Sequence, residues 1–144
     1  MKKPIVIDVS MAASWVMPDE QSDVGRRLLR ELRLAPFRAI TVPLFWFEFC
    51  NILLTNERRG RISKNDGLES LATVHSVRMR VQDVSDHYQI LSLARAHELS
   101  AYDAAYLALA MGAGAVLATN DKKLARAAIN ADVELRTALT PLQM

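Results

Sequence analysis

The chain has 144 residues, of which 51% are hydrophobic and only 6% aromatic, so it holds enough apolar material for a core built mainly from Leu, Ala, Val and Ile. Charged residues make up 24% and sum to a net charge of +2, which excludes a disordered or low-complexity chain and permits an anionic partner without demanding one. The lone Cys50 cannot form an intrachain disulfide, and no apolar run approaches a membrane span, so the composition predicts a cytoplasmic protein.

The basic start, Met1-Lys2-Lys3-Pro4, leads into an apolar run that Asp8 breaks at once, which does not fit a signal peptide. Residues 5–9 read as a β-branched strand, and residues 10–17 as a helix that Pro18 ends. Residues 22–33 form a second predicted helix. Val24, Leu28, Leu29 and Leu32 keep helical spacing, while Arg26, Arg27, Arg30 and Arg33 fill its other faces. A strand is predicted at 39–42. A helix follows from Pro43 to Arg59, with Gly60 as its stop. Ser63 and Asp66 have the spacing of a capping box for a helix over 63–76. Residues 77–84 read as a strand, 86–97 and 100–111 as helices, 115–118 as a strand, 121–129 as a helix and 133–135 as a short last strand. Strands alternating with helical segments predict an α/β fold, a single domain with a mostly parallel sheet flanked by helices.

Four carboxylates stand out on this frame. Asp8 closes the first strand, and Asp121 follows the strand at 115–118. In open parallel sheets, sites form beyond the carboxyl ends of the strands, so these two share one edge. Glu48 interrupts the apolar run Leu44-Phe45-Trp46-Phe47-Glu48-Phe49-Cys50, and Asp103 opens an alanine-rich helix. Asp103 and Asp121 also have an ordinary explanation, as acids in the positive first turn of a helix. Ser100 and Asp103 have capping-box spacing. Asp8 is an alternative cap for the helix after it, although Ser10 is available for that task. Glu48 is harder to explain structurally, because an unpaired buried carboxylate costs several kcal/mol or stays protonated; Asn51 beside it suggests a wet pocket. If the four converge, their repulsion calls for a cation, and all-oxygen ligation points to Mg²⁺ or Mn²⁺.

The blocks Val6-Ile7-Asp8-Val9-Ser10 with Ser14-Trp15-Val16-Met17-Pro18-Asp19-Glu20, Glu48-Phe49-Cys50-Asn51-Ile52-Leu53, Leu99-Ser100-Ala101-Tyr102-Asp103-Ala104-Ala105-Tyr106 and Ala118-Thr119-Asn120-Asp121-Lys122-Lys123-Leu124 occur in one order along nearly the whole chain. In these the sequence resembles the PIN-domain ribonucleases, specifically VapC-type toxins of type II toxin–antitoxin pairs. The resemblance implies that Asp8, Glu48, Asp103 and Asp121 are the family's acidic quartet in a metal-dependent endoribonuclease that uses Mg²⁺, with Mn²⁺ as the substitute. Asp8 and Asp103 are then the direct ligands, and Glu48 and Asp121 act through water or on a second ion. Ser10, Asn51, Thr119 and Asn120 are supporting polar positions. It also implies RNA as substrate, a VapB-like antitoxin that obstructs the site, and a toxin homodimer.

His75, His87 and His97 sit on predicted helices as surface or packing residues, so no nucleophile–base pair competes with this reading. Arg58, Arg59, Arg61, Lys122 and Lys123 are candidates to contact RNA phosphates, and each is equally an ordinary solvated charge. Arg26, Arg27, Arg30 and Arg33 offer a third basic surface. Leu28, Leu29, Phe45 and Trp46 are either interface or core. Two other functions fit less well. A receiver-like phosphotransfer domain wants neighbouring acids after the first strand, and here Val9 and Ser10 follow Asp8. A non-catalytic RNA-binding module of the same fold differs only in turnover.

Overall fold

The computed structural model describes residues 2–144. Twelve elements follow in order: β1 (Ile5–Ile7), α1 (Val9–Val16), α2 (Asp23–Arg33), β2 (Ala39–Thr41), α3 (Phe45–Arg58), α4 (Lys64–His75), β3 (Arg80–Val81), α5 (His87–His97), α6 (Ala101–Ala113), β4 (Val116–Ala118), α7 (Lys122–Asn130) and β5 (Leu135–Arg136). The strands form one sheet in the order β3-β2-β1-β4-β5, and every pairing is parallel. Every residue of β1, β2 and β4 is buried, as expected of strands covered by helices on both faces, whereas the edge strand β3 is exposed.

Strand order is what creates the site. From β1 the chain builds outward through β2 to β3, then returns and lays β4 on the other side of β1. The connections leaving β1 and β4 therefore part in opposite directions and open a crevice above their carboxyl ends. Ile5, Val6 and Ile7 pair with Val116, Leu117 and Ala118, which fixes the residues just beyond, Asp8 and Thr119, at one level on that edge.

Helix α1 packs against α2, α3 and α4, and α6 packs against α5, α7, β1 and β4. The approach of α1 to α2 depends on Gly25, because a Cβ there would meet the Ser14 Oγ at 2.6 Å. Leu28 and Phe45 are completely buried, and Leu29 and Trp46 are partly buried against the core, so packing accounts for all four. The large side chains that remain exposed are others, among them Phe47, Leu68 and Tyr88.

Several boundaries differ from the sequence expectation. Val9 belongs to α1, not to β1. Pro43 precedes α3, which begins at Phe45 behind Leu44, a cap without a side-chain hydrogen bond. The strand expected over 77–84 shrinks to Arg80–Val81, because only those residues pair with β2; Val77 goes to the core instead. Asp121 is the cap before α7, not its first residue, and the last strand starts at Leu135. Gly60 ends α3 at φ 71, and Ser63 and Asp66 close a reciprocal capping box at α4, both as their residue chemistry predicts.

Candidate active site

Asp8 stands where β1 ends, 3% exposed, and it caps α1 itself: its Oδ1 accepts the Met11 N–H at 2.9 Å. Of the two caps the sequence offered, Asp8 and Ser10, the structure uses Asp8. Ser10 lies one residue inside the helix, and its hydroxyl donates to the Asp8 carboxylate, 2.8 and 2.9 Å from its two oxygens. Thr119, fully buried after β4, donates to Asp8 Oδ2 at 2.5 Å. Both hydroxyls are aimed by the loop that leaves β4. The Asn120 N–H donates to Ser10 Oγ at 2.8 Å, and the Asp121 N–H donates to Thr119 Oγ1 at 3.0 Å. Two backbone amides thus feed two hydroxyls that feed one carboxylate, which locks the β1 and β4 termini together.

These donors favour an ionised Asp8, yet burial outweighs them. Desolvation is the largest influence and moves its pKa from 3.8 up to about 6, against the lowering by Thr119, Met11 and Ser10; the charge of Asp103 raises it further. Asp103 lies in the first turn of α6, where Ser100 accepts its backbone N–H at 3.1 Å. The reciprocal bond that completes the box at α4 is not formed there among the described residues. Burial, then the charge of Asp121, holds Asp103 above the usual carboxylate range, while Ser100 and Lys123 pull it down. Glu48, in the first turn of α3, is also raised, by burial first and by Asp103, against a hydrogen bond from Tyr106. Asp121 caps α7 by accepting the Leu124 N–H at 2.9 Å. The four acids therefore form a chain of mutual repulsion, in which Asp103 is felt at Asp8 and Glu48, and Asp121 is felt at Asp103.

Tyr106 is the residue that the sequence reading did not single out. It is 1% exposed, and its hydroxyl donates to Glu48 Oε1 at 3.1 Å. Burial and the charges of Glu48, Asp8 and Asp103 push its own ionisation far up, so the phenol stays neutral and remains a donor. The signal was present in the spacing, since Tyr106 lies three residues after Asp103 on the same face of α6. Asn51, by contrast, is exposed on α3, and among the described residues its side chain takes no part in the hydrogen-bond network. The Asn120 side chain faces the other way, its Oδ1 accepting the Ala138 N–H at 2.9 Å, so it anchors the C-terminal segment.

Among the basic candidates, Lys122 and Lys123 open α7 beside the acids, and Lys123 is close enough to influence Asp103. Arg58 and Arg59 lie at the far end of α3, roughly 15 Å along the axis from Glu48 at 1.5 Å per residue. Arg61 is paired with Asp19. Beside Glu48 opens a mainly apolar groove of about 500 Å³ between α3, α5 and α6, lined by Leu44, Val84, Leu91 and Tyr102 with Asp83 and His87 at hand.

The donor set fits a hard divalent ion. It is all oxygen, it clusters charges that repel one another, and it includes a buried carboxylate whose ionised form lacks a counter-charge. Among the described residues no three His, Cys, Asp or Glu side chains form a ready-made cage. Mg²⁺ does not require one, since it keeps several waters and takes one or two protein carboxylates plus substrate phosphate. No helix is long and apolar enough to cross a membrane among the described residues.

Residues 5–130 match the family described as PIN domain. A curated relative from Pyrobaculum aerophilum, Ribonuclease VapC3, is 29% identical over 125 residues, covering 84% of this chain and 92% of its own. Among solved structures, PAE2754 from Pyrobaculum aerophilum superposes with a TM-score of 0.65 at 18% identity, over 87% of this chain and 84% of that one. FitAcB from Neisseria gonorrhoeae gives 0.62 at 17% over 97% and 99%, and a toxin–antitoxin complex from Klebsiella pneumoniae gives 0.55 at 13% over 83% and 88%. At these identities the structures speak for the fold, while the match over residues 5–130 speaks for ancestry: the chain belongs to the PIN domain family.

Proposed function

We propose that this protein is the toxin of a type II toxin–antitoxin pair and acts as a Mg²⁺-dependent endoribonuclease, the whole chain serving as one nuclease unit. The observation that supports this reading is the buried Asp8, held by three hydrogen-bond donors at the β1/β4 crevice and within electrostatic reach of Asp103, whose charge in turn is felt at Glu48 and which feels that of Asp121. The likeness to a protein named a ribonuclease supports the same chemistry.

In this reading Asp8 and Asp103 are the direct ligands, and Glu48 and Asp121 act through water or on a second ion. A bound divalent ion, Mg²⁺ or Mn²⁺, supplies neutralisation of the phosphate charge and a water of lowered pKa. The chain's own residues do the rest. Ser10 and Thr119 fix the Asp8 carboxylate in one orientation, so no reorganisation is needed when RNA arrives. Tyr106 holds Glu48 toward the cluster. Lys123 offsets part of the repulsion that four acids present to an incoming phosphate. Phosphate contacts from Lys122 and Lys123, and from Arg58 and Arg59 on flanking nucleotides, give affinity without sequence choice.

A VapB-like antitoxin and a second toxin copy have apolar surface to cover, including the groove beside Glu48 and the exposed Phe47, Leu54 and Leu68 on α3 and α4. The test of function is cleavage of RNA by purified protein with Mg²⁺ and with a chelator, beside Asp8→Asn and Asp103→Asn. Cleavage that needs the metal and is lost in both variants supports the proposal. Equal cleavage by the variants identifies a contaminating nuclease and removes it. Growth arrest on expression, relieved by the same substitutions and by a co-expressed neighbouring small protein, tests the toxin role.

A further inference from the structure

The amino-terminal edge of the sheet, opposite the acids, is strongly basic. Arg30 and Arg33 occupy the last turn of α2, and Arg33 Nε donates to Ser76 Oγ at 2.8 Å, which brings that turn to the end of α4. Two residues on, the Arg78 carbonyl accepts the Phe37 N–H at 2.9 Å, and the Arg80 guanidinium lies 5.8 Å from the Phe37 ring centroid. Among the described residues none of these four arginines has a carboxylate within ion-pair distance. Glu31, the acid nearest in sequence, is occupied by Arg136 and Arg38. The net charge of +2 thus conceals two poles, one acidic and one basic.

Phe37 is the second observation. Its φ is 65, a left-handed conformation that aromatic residues seldom adopt, and the residue is 50% exposed. The bond to Arg78 fixes the Phe37 backbone, and the Arg80 guanidinium lies over one face of its ring. A fixed aromatic face among unpaired guanidinia matches single-stranded nucleic acid, whose bases stack and whose phosphates take bidentate arginine contacts. An acidic peptide would use the charges but leave the ring without a purpose.

We propose that Phe37 with Arg30, Arg33, Arg78 and Arg80 forms a second site, which holds single-stranded RNA at the pole opposite the acids. It rests on the reading of RNA as the substrate. Its physical sense is that the acid cluster repels RNA, so a second basic surface adds affinity to what Lys122, Lys123, Arg58 and Arg59 supply. The 13-residue α6 runs from the acids to the amino end of β4, roughly 20 Å at 1.5 Å per residue, so only an RNA longer than a few nucleotides reaches both poles.

The test is binding of a labelled single-stranded RNA of about 16 nucleotides, measured in chelator so that cleavage does not intervene. It compares wild type, the double variant Arg78→Ala with Arg80→Ala, and Phe37→Gly, which removes the ring but suits the backbone. All altered side chains are exposed, and unchanged circular dichroism would show intact folds. Loss of two phosphate contacts should weaken binding at least tenfold and make the slope of log K against log salt shallower by about 1.4. Phe37→Gly should weaken binding about fivefold or more with the slope unchanged. Cleavage of a trinucleotide should stay at the wild-type rate while cleavage of the longer RNA falls. Wild-type affinity and slope in both variants would overturn the site. So would unchanged RNA binding together with lost binding of polyglutamate, which would assign the surface to an acidic polypeptide. Wild-type protein that binds the RNA in chelator but never cleaves it with Mg²⁺ would sink the nuclease reading and leave this site standing.

Discussion

Replacing Asp8 by Asn should stabilise the metal-free protein near neutral pH even as it abolishes cleavage. Asp8 is buried, and its pKa stands at about 6 in the fold against an ordinary 3.8. A carboxyl raised in this way contributes stability that is fully present below about pH 4 and is lost as pH rises through about 6. The difference is about two pH units, and at about 1.4 kcal/mol per unit the ionised group costs the fold about 3 kcal/mol at pH 7.5. Asn is also a good helix cap, so its oxygen keeps the bonds from Met11 and Ser10; only Thr119 must turn to accept, at a cost of about 1 kcal/mol. The net gain is about 1–3 kcal/mol, or roughly 2–12 °C in the unfolding midpoint for a chain of this size. Thermal unfolding in chelator at pH 7.5 and pH 4 measures it. The gain should be present at the first pH and largely gone at the second, where wild-type Asp8 is protonated. Added Mg²⁺ should stabilise the wild type more than the variant. A variant less stable than wild type at pH 7.5, or a difference independent of pH, would refute the claim that burial governs this carboxyl.

Tyr106→Phe should cost about 0.5–1.5 kcal/mol in chemical unfolding and lower cleavage about tenfold, because Glu48 loses the donor that orients it; wild-type kinetics would remove Tyr106 from the site. Thr119→Val keeps the shape but leaves the Asp121 N–H without its acceptor and Asp8 without its strongest hydrogen-bond donor. It should lose about 1–3 kcal/mol and shift the acidic limb of the pH–rate profile upward, and an unshifted limb would count against the relay. Gly25→Ala should lose about 1–3 kcal/mol through its collision with the Ser14 hydroxyl, and adding Ser14→Ala should recover much of that, both read from denaturant midpoints.

Most elements were legible because their signals are local. Helical spacing specified α2, Gly60 ended α3, and the Ser63–Asp66 pair started α4, each through contacts a few residues apart. The strand expected over 77–84 was overestimated because the alternation Val77, Met79, Val81 records a tendency to extend, not the presence of a partner, and β2 offers one to only two of those residues. Capping of α1 stayed open in the sequence between Asp8 and Ser10. Ser10 and Asp8 are both good caps, and what decides between them is Thr119, which lies 111 positions away from Asp8 and draws the two hydroxyls into one cluster. Tyr106 escaped notice for a related reason: a tyrosine in an alanine-rich helix reads as packing until the partner at the end of its hydroxyl is known.

The sequence by itself determined the chemical inventory: four carboxylates in awkward apolar or strand-end settings, a parallel α/β alternation, and an ordered set of motifs over nearly the whole chain. Only the tertiary structure decided who meets whom. The order β3-β2-β1-β4-β5 places β4 beside β1, so that the loop after β4 supplies the donors that hold Asp8 and the opposite edge collects the arginines. Periodicity and capping act over one helical turn and are written in neighbouring residues. Strand order is a balance of packing energies over the whole core, which no short stretch of chain records.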